Sequence, residues 1–407
     1  MKADRIVQGK QQLQRYRRRK STGPKIAFFT GGTGSRFLAQ RMLTYTHNAS
    51  YIINTSDSGG STRQLRLLFN MPAIGDFRSR LIDLASVKTK GYKQTSELLK
   101  RRLKKDTSPG ELEKELHDII IGSDPMVKAI KEVNPNFSKM LTHNLLEFQK
   151  YRLIYERQTG RSFDLAGASI GNLFLTGAYL YYGKDLELPI YLYKHLAGVK
   201  GDVVPATLET VNLAAEMADQ STIVGQHLIT HADNGPVDNI WYVDREATDA
   251  RRVYPAANPR ALDAIREAKL LVFSMGSFYT SILSTLQLRG IAEAIRKNPA
   301  PKVFVANSRE DEETVGMTVG SMAHEIVKVL RENDSISGVN SQYLTHVVAN
   351  RFSGQAVLFK GQYRYFPPDL VSLPKGIMSD QVSLLEKAGS SYYDPYRVSA
   401  LLFSFID

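Results

Sequence analysis

The sequence predicts an α/β protein: a doubly wound, mainly parallel, Rossmann-like sheet with a helical insertion and a small antiparallel β insertion. Three observations predict it. Short, apolar, β-rich runs end in glycine and pass directly into helical patterns, as in "KIAFFTGGTGSRFLAQ". The same strand-to-helix rhythm returns in the second half of the chain. Two intervening segments break that rhythm, one with helical periodicity throughout and one with short alternating runs.

Taken in order, residues 25–30 (KIAFFT) read as a fully buried strand, 35–43 as a helix and 50–56 (SYIINTS) as a second buried strand. This β-α-β unit is the signature of a parallel sheet. Residues 88–165, rich in Lys, Glu and Leu at helical spacing, form the helical insertion, and residues 203–245, which alternate and break often, form the antiparallel patch. Helix at 257–268, strand at 269–275, helix at 289–298, strand at 302–307 and helix at 319–333 follow. Residues 343–351 read as one more strand and 395–406 as a closing helix. Residues 1–20 read as a basic N-terminal arm and 21–407 as the α/β domain. No repeat or low-complexity linker interrupts it.

A chain of 407 residues with 43% apolar residues can bury a large core. No apolar run approaches the roughly 18 residues of a membrane span, so no span is expected. The absence of cysteine excludes disulfides, thiolate metal sites and a cysteine nucleophile, and suits a cytoplasmic location. The net charge of +12 concentrates partly in Arg15, Arg17, Arg18, Arg19 and Lys20 and partly in "LLKRRLKKD" (98–106). Without an aromatic-interleaved stripe, a zinc finger or a helix-turn-helix pattern, these read as solvated surface rather than a nucleic-acid site.

The first turn departs from the dinucleotide fingerprint, because Phe37 stands where a glycine or alanine would let helix and strand pack. No Gly-Lys-Ser/Thr follows to make a P-loop. No NAD or FAD fingerprint is therefore present. What remains is an anion cradle: backbone N–H groups at Gly31, Gly32 and Gly34, with the hydroxyls of Thr33 and Ser35 at a helix N-terminus. The bland alternative is a tight strand-to-helix turn. The second strand ends in a similar loop, Asp57, Ser58, Gly59, Gly60 and Ser61, and loops after adjacent parallel strands open on the same sheet edge. Asp57 suits a phosphate or a phosphate-bound Mg²⁺ equally well. Asp76 opens a helix bearing Arg78, and an N-terminal aspartate is equally a structural device. Ser169 and Asn172 open a later helix. Gly276, Ser277, Tyr279 and Thr280 repeat the glycine–hydroxyl turn, and Asn307 closes the strand after it. A ligand with several phosphates would use all these turns. His227 and His231 have metal spacing but read as a structural pair on a strand, and Asp311, Glu312 and Glu313 read as a solvated approach to a helix.

These stretches, in this order, resemble the CofD/YvcK family of 2-phospho-L-lactate transferases and YvcK-type gluconeogenesis factors. The likeness runs over about residues 25 to 333 and rests on "TGGTGS", "SDSGGSTRQLR", "IGDFRSRL", "SIGNLFL", "GDVVPATLETVNLAAEM" and "MGSFYTSIL…GIAEAIRKNPAPKVFVAN". "DSGGSTR" stands where a deazaflavin-binding region would follow the second strand, which places the chain nearer the YvcK branch. Glu313-Thr314 aligns with a family G-E-T loop.

The resemblance implies a doubly wound core with a nucleoside-diphosphate ligand across the strand ends. In the YvcK branch it implies nucleotide-sugar binding and control of carbon or cell-wall metabolism. The lead expectation is a UDP-sugar-type ligand. Its diphosphate would lie on Gly31–Ser35 and Asp57–Ser61, with Ser277 to Thr280 on another part. The alternative is a CofD-like transferase moving a 2-phospholactyl-type group from a guanosine-diphosphate donor to an alcohol. There Asp57 or Asp76 would hold Mg²⁺, and Arg66 or Arg78 would face the developing charge. The sequence is compatible with a homo-oligomer.

Overall fold

The structure is a computed structural model, and it describes residues 2–32, 34–230, 236–351, 358–359, 363–364, 369–387, 390 and 392–406. Its contacts divide the chain into two compact units, Met1–Ser56 with Gly201–Asp407, and Asp57–Lys200.

Helix α1 (Lys2–Arg17) precedes the first β-α-β unit, made of β1 (Ile26–Thr30), α2 (Arg36–Met42) and β2 (Ala49–Ile53). The chain then enters the second unit, which is all helix: α3 (Gly60–Phe69), α4 (Gly75–Leu84), α5 (Tyr92–Lys100), α6 (Pro109–Ile120), α7 (Pro125–Val133), α8 (Pro135–Thr159), α9 (Ile170–Tyr181) and α10 (Glu187–Leu196). The starts of α6, α7 and α8 share one device. A Ser, Asp or Asn side chain accepts from the first-turn amides, and proline follows at the first helical position. Aromatic rings join the long α8 to its neighbours: Phe69 lies 6.2 Å from Phe148 and 5.1 Å from Tyr155. The helical region thus extends to both sides of residues 88–165.

The chain returns through β3 (Asp202–Pro205) and an antiparallel sheet of β4 (Asn212–Met217), β5 (Thr222–Val224), β6 (Val237–Val243) and β7 (Arg252–Val253), with α11 (Gln226–Thr230) between β5 and β6. The patch expected at 203–245 is therefore real but shifted. Its first strand pairs parallel with β2 in the main sheet, and its last reaches Val253. His227 lies on α11 rather than on a strand. Then come α12 (Pro259–Glu267), β8 (Leu270–Phe273), a π-helical turn (Phe278–Leu283), α13 (Ser284–Leu286), α14 (Ile291–Lys297), β9 (Lys302–Val305), α15 (Val319–Glu332), α16 (Asn340–Tyr343) and β10 (His346–Asn350). A short pair, β11 (Leu358–Phe359) and β12 (Tyr363–Arg364), precedes β13 (Met378–Val382) and α17 (Pro395–Phe403).

The main sheet has seven strands in the order β13-β10-β9-β8-β1-β2-β3, and every pairing in it is parallel. Numbered by appearance in that sheet, the order is 3-2-1-4-5-6-7, the doubly wound arrangement. β1 and β8 read as continuous apolar runs because both faces are buried, whereas the edge strand β13 (MSDQV) is polar and partly exposed. On β1, Phe29 meets Phe273 of β8 at 5.1 Å on one face, and Phe28 stacks on Tyr51 of β2 at 5.2 Å on the other.

The basic N-terminus is not a free arm. Gly9 and Leu13, one helical turn apart on α1, are buried, and α1 packs on α17. A Cβ on Gly9 would lie 1.7 Å from the Ala400 carbonyl oxygen, so glycine is what lets the two helices touch. Tyr16 meets Phe403 edge-on at 5.7 Å, and Arg5 pairs with Asp380 at 3.6 Å. Charge counting could not foresee this, because the docking rests on a few apolar, aromatic and glycine contacts that the basic residues of α1 outnumber.

Candidate functional site

Doubly wound sheets bind ligands outside the carboxyl ends of the strands, where the winding reverses. Here that point lies between β1 and β8. The turn after β1 and the turn after β8 meet there. A Cβ on Gly34 would lie 3.0 Å from both Gly276 Cα and the Met275 oxygen, so the two backbones touch with no room for a side chain. Asn307, after β9, clamps the second turn: the Gly276 N–H donates to its Oδ1 (3.1 Å), and its Nδ2 donates to the Gly276 carbonyl (2.9 Å). A pocket of about 380 Å³ opens at this place, lined by Gly34, residues 275–277, residues 307–312, Tyr392 and Tyr393.

Within this pocket the expected ligand residues take different parts. Gly31 and Gly32 are buried beneath the turn and Gly34 is at its surface; Thr33 lies outside the described residues. Ser35 is buried and hydrogen-bonds the Thr30 hydroxyl at the sheet end. Ser277 is half-buried, lines the pocket and begins the π-helical turn without a side-chain capping bond. Asn307 lines the pocket while its amide is held by Gly276. Tyr279 and Thr280 are buried, and their amides donate to Glu313 Oε2 at 3.0 Å each.

Glu313 is the main surprise. The solvated run expected at Asp311–Glu313 is instead a folded loop whose last carboxylate is 1% exposed. Besides the two amides, it accepts from the hydroxyls of Thr280 and of Thr230 at the end of α11 (3.1 Å). Burial, reinforced by the neighbouring Asp311 charge, pushes its pKa up to about 7 against the pull of these hydrogen bonds. Asp311 is raised too, again by burial first, with Glu312 adding to it. Asn54 at the end of β2 is a second unforeseen brace. Its Oδ1 accepts from the Ser56 N–H (2.6 Å) and hydroxyl (2.7 Å), and its Nδ2 donates to the Thr280 carbonyl (3.0 Å) and to Ser284.

The helical unit gathers a second group of expected residues. Asp57 accepts the Gly59 N–H at Oδ1 (3.2 Å), and its Oδ2 lies 3.4 Å from where a Gly75 Cβ would stand, at the start of α4. Asp76 is in that first turn, and Ser58 is buried beside Asp57. Gly60 adopts a left-handed φ of 53° with open space above it. The Asn172 amide donates to Ser61 (3.1 Å) and Thr62 (3.2 Å), the Ser169 N–H reaches Ser61 at 3.4 Å, and Arg78 donates to the Ser169 hydroxyl. Ser61, Thr62, Arg78, Ser169 and Asn172 thus form one polar cluster. Within it Asn172 Oδ1 and Arg78 Nε are buried and make no hydrogen bond. Arg66 differs from expectation: it is buried and braces the loop by donating to the carbonyls of Asp57 (3.2 Å) and Met71 (3.3 Å). Among the described residues, no three His, Cys, Asp or Glu side chains form a metal cluster. His231 lies outside the described residues. No helix among those described is long and apolar enough to cross a membrane.

The seven-stranded order and the touching glycine turns at its switch point define a doubly wound α/β protein. The chain belongs to the CofD family: the model described as 2-phospho-L-lactate transferase CofD matches residues 26–365. A putative gluconeogenesis factor of Nostoc sp. is 31% identical over 395 residues, covering 95% of this chain and 70% of that protein. The gluconeogenesis factor of Bacillus subtilis is 26% identical, covering 94% and 98%. An uncharacterized protein of Saccharomyces cerevisiae is 26% identical, covering 89% and 93%. Among solved structures, a Bacillus halodurans protein described as a member of the UPF0052 family has the same fold: TM-score 0.67, 21% identity, 93% of this chain and 98% of that one.

Proposed function

We propose that the protein binds a nucleoside-diphosphate ligand of the UDP-sugar type at the switch-point pocket and acts in the control of carbon or cell-wall metabolism, in the cytoplasm. The observation that carries this reading is the meeting of the Gly34 and Gly276 turns at the one reversal of the sheet, beside a pocket of about 380 Å³. Small-molecule sites run from roughly 300 to 1,000 Å³. The Gly34 turn, exposed at the pocket and bearing no side chain, lets a phosphate approach the backbone closely. Ser277 supplies a hydroxyl. The gluconeogenesis-factor names of the relatives support the regulatory side.

A second reading, a transferase moving a 2-phospholactyl-type group from a guanosine-diphosphate donor to an alcohol, is supported by the family's name and by the helical unit. Asp57, with Asp76 in the first turn of α4, offers one or two carboxylates, which is what Mg²⁺ takes when phosphates and water complete its shell. Bound there, Mg²⁺ would supply charge neutralisation. Arg78, at the orphaned end of its cluster, would face the same charge.

The test is calorimetry and thermal unfolding with UDP-sugars and with GDP. A ligand at a hundred times its Kd should stabilise the protein by about 2.7 kcal/mol. Ser277→Leu, which puts an apolar side chain into the pocket lining, should weaken binding at least tenfold at unchanged melting temperature. Binding by no nucleotide, or equal binding by Ser277→Leu, would remove the pocket from the account.

A further inference from the structure

The turn after β8 looks from sequence like another phosphate cradle, yet its amides are already filled. The π-helical stretch from Phe278 to Leu283 widens the first turn and aims the N–H groups of Tyr279 and Thr280 at one point. The Glu313 carboxylate sits at that point, 3.0 Å from each nitrogen. Its other oxygen takes the hydroxyls of Thr280 and Thr230. One buried side chain therefore joins α11, the π-helical turn and the loop that carries Asn307 to Glu312.

We infer that Glu313 is the positioning residue of the switch-point pocket: a buried carboxyl that fixes the turn after Ser277, bars a ligand phosphate from its amides, and holds the pocket-lining loop in register. The loop itself is cross-braced. Thr314 donates its hydroxyl to Asp311 Oδ1 (2.6 Å), and the Gly316 N–H donates to Glu310 Oε1 (3.2 Å). Without the Glu313 anchor, the loop keeps the Asn307 clamp on Gly276 but loses its tie to the π-helical turn and α11, and the wall facing Gly34 and Ser277 is held less firmly. A phosphate pushed to the Tyr279 and Thr280 amides would meet the Glu313 carboxyl that already holds them, which leaves the exposed Gly34 turn across the pocket for diphosphate.

The inference rests on the nucleotide reading only for one arm of its test. In the ligand-free protein, hydrogen exchange is followed for peptides spanning 276–283 and 307–312 in the parent, Glu313→Gln and Glu313→Ala. Both peptides should exchange at least tenfold faster in Glu313→Ala. Glu313→Gln keeps one accepting oxygen and should rescue part of the protection, while peptides of β1 stay unchanged in both. Should Glu313→Ala fail to fold, the isosteric Gln variant decides alone. In the second arm, affinity for UDP-glucose and GDP should fall at least fivefold in Glu313→Gln with the melting temperature held within a few degrees. Unchanged exchange at 276–283 overturns the inference, and so does faster exchange with unchanged affinity. A parent that binds neither probe sinks the nucleotide reading instead, and faster exchange at 307–312 then still supports Glu313 as the anchor.

Discussion

At the residue scale, Glu313 and His346 are buried titratable groups with opposite consequences for stability. The folded pKa of Glu313, about 7, lies above its ordinary 4.5. Between those values the folded state holds a proton that the unfolded state has lost, so stability from this group is full below 4.5 and drains away as pH rises to about 7. The whole effect is roughly 3 kcal/mol, from 1.36 kcal/mol per unit. His346 is held down to about 4, by burial first and by Arg5 second. Its stability is full above 6.5 and is lost as pH falls toward 4. The two partly cancel, so the parent's curve alone hides both. Subtracting the Glu313→Gln curve from the parent's, measured by urea unfolding from pH 4.5 to 7.5, should leave a difference that declines with pH. A flat difference would mean the carboxyl does not titrate in that window.

Gly34 and Gly59 separate two uses of glycine. Gly34 faces the Met275–Gly276 backbone at 3.0 Å, whereas a Cβ on Gly59 would make only an ordinary 3.5 Å contact with Asp57. Gly34→Val should lower the melting temperature as well as abolish binding, because overpacking against backbone costs about 1–3 kcal/mol. Gly59→Ala should stay folded near the parent's melting temperature. Equal melting temperatures for Gly34→Val and the parent would show that the turns part easily.

At the element scale, α1 is the unexpected member. Since Gly9 lets α1 touch α17, Gly9→Val should push the two apart at a cost of about 1–3 kcal/mol. Fluorescence-monitored unfolding checks this, and an unchanged midpoint would return α1 to the status of a loose arm. The elements that were legible in the sequence share a feature. β1, β2, β8 and β9 are short apolar runs closed by glycine or asparagine, and α12, α15 and α17 begin at Asn258, Thr318 and Asp394, whose side chains accept first-turn amides. Those are local signals. β3 pairs with a strand about 150 residues before it in sequence, and α1 docks on a helix nearly 400 residues after it; such partners leave no local mark. The same distinction holds at the site. Touching glycine turns follow from strand-end glycines, which sequence shows. The uses of Ser35, Arg66, Asn307 and Glu313 as internal braces depend on which backbone each reaches, and only the likeness of Glu313-Thr314 to a family loop hinted at one of them.

At the scale of the whole molecule, the sheet reverses its winding once, between β1 and β8, and the ligand account rests on that point. The helical unit adds a separate question, whether Asp57 serves a metal. Asp57→Asn should weaken Mg²⁺ binding to the protein, as read by calorimetry; equal Mg²⁺ affinity in parent and variant would remove the metal and with it the strongest support for transfer chemistry. The most direct measurement for the pocket is a crystal structure of the protein with a UDP-sugar or GDP bound. The diphosphate should lie within hydrogen-bonding reach, about 3 Å, of the Gly34 N–H and of the Ser277 hydroxyl, with Glu313 still holding the Tyr279 and Thr280 amides. A diphosphate found away from the Gly34–Gly276 contact, or seated on the Tyr279 and Thr280 amides with Glu313 displaced, would contradict the account.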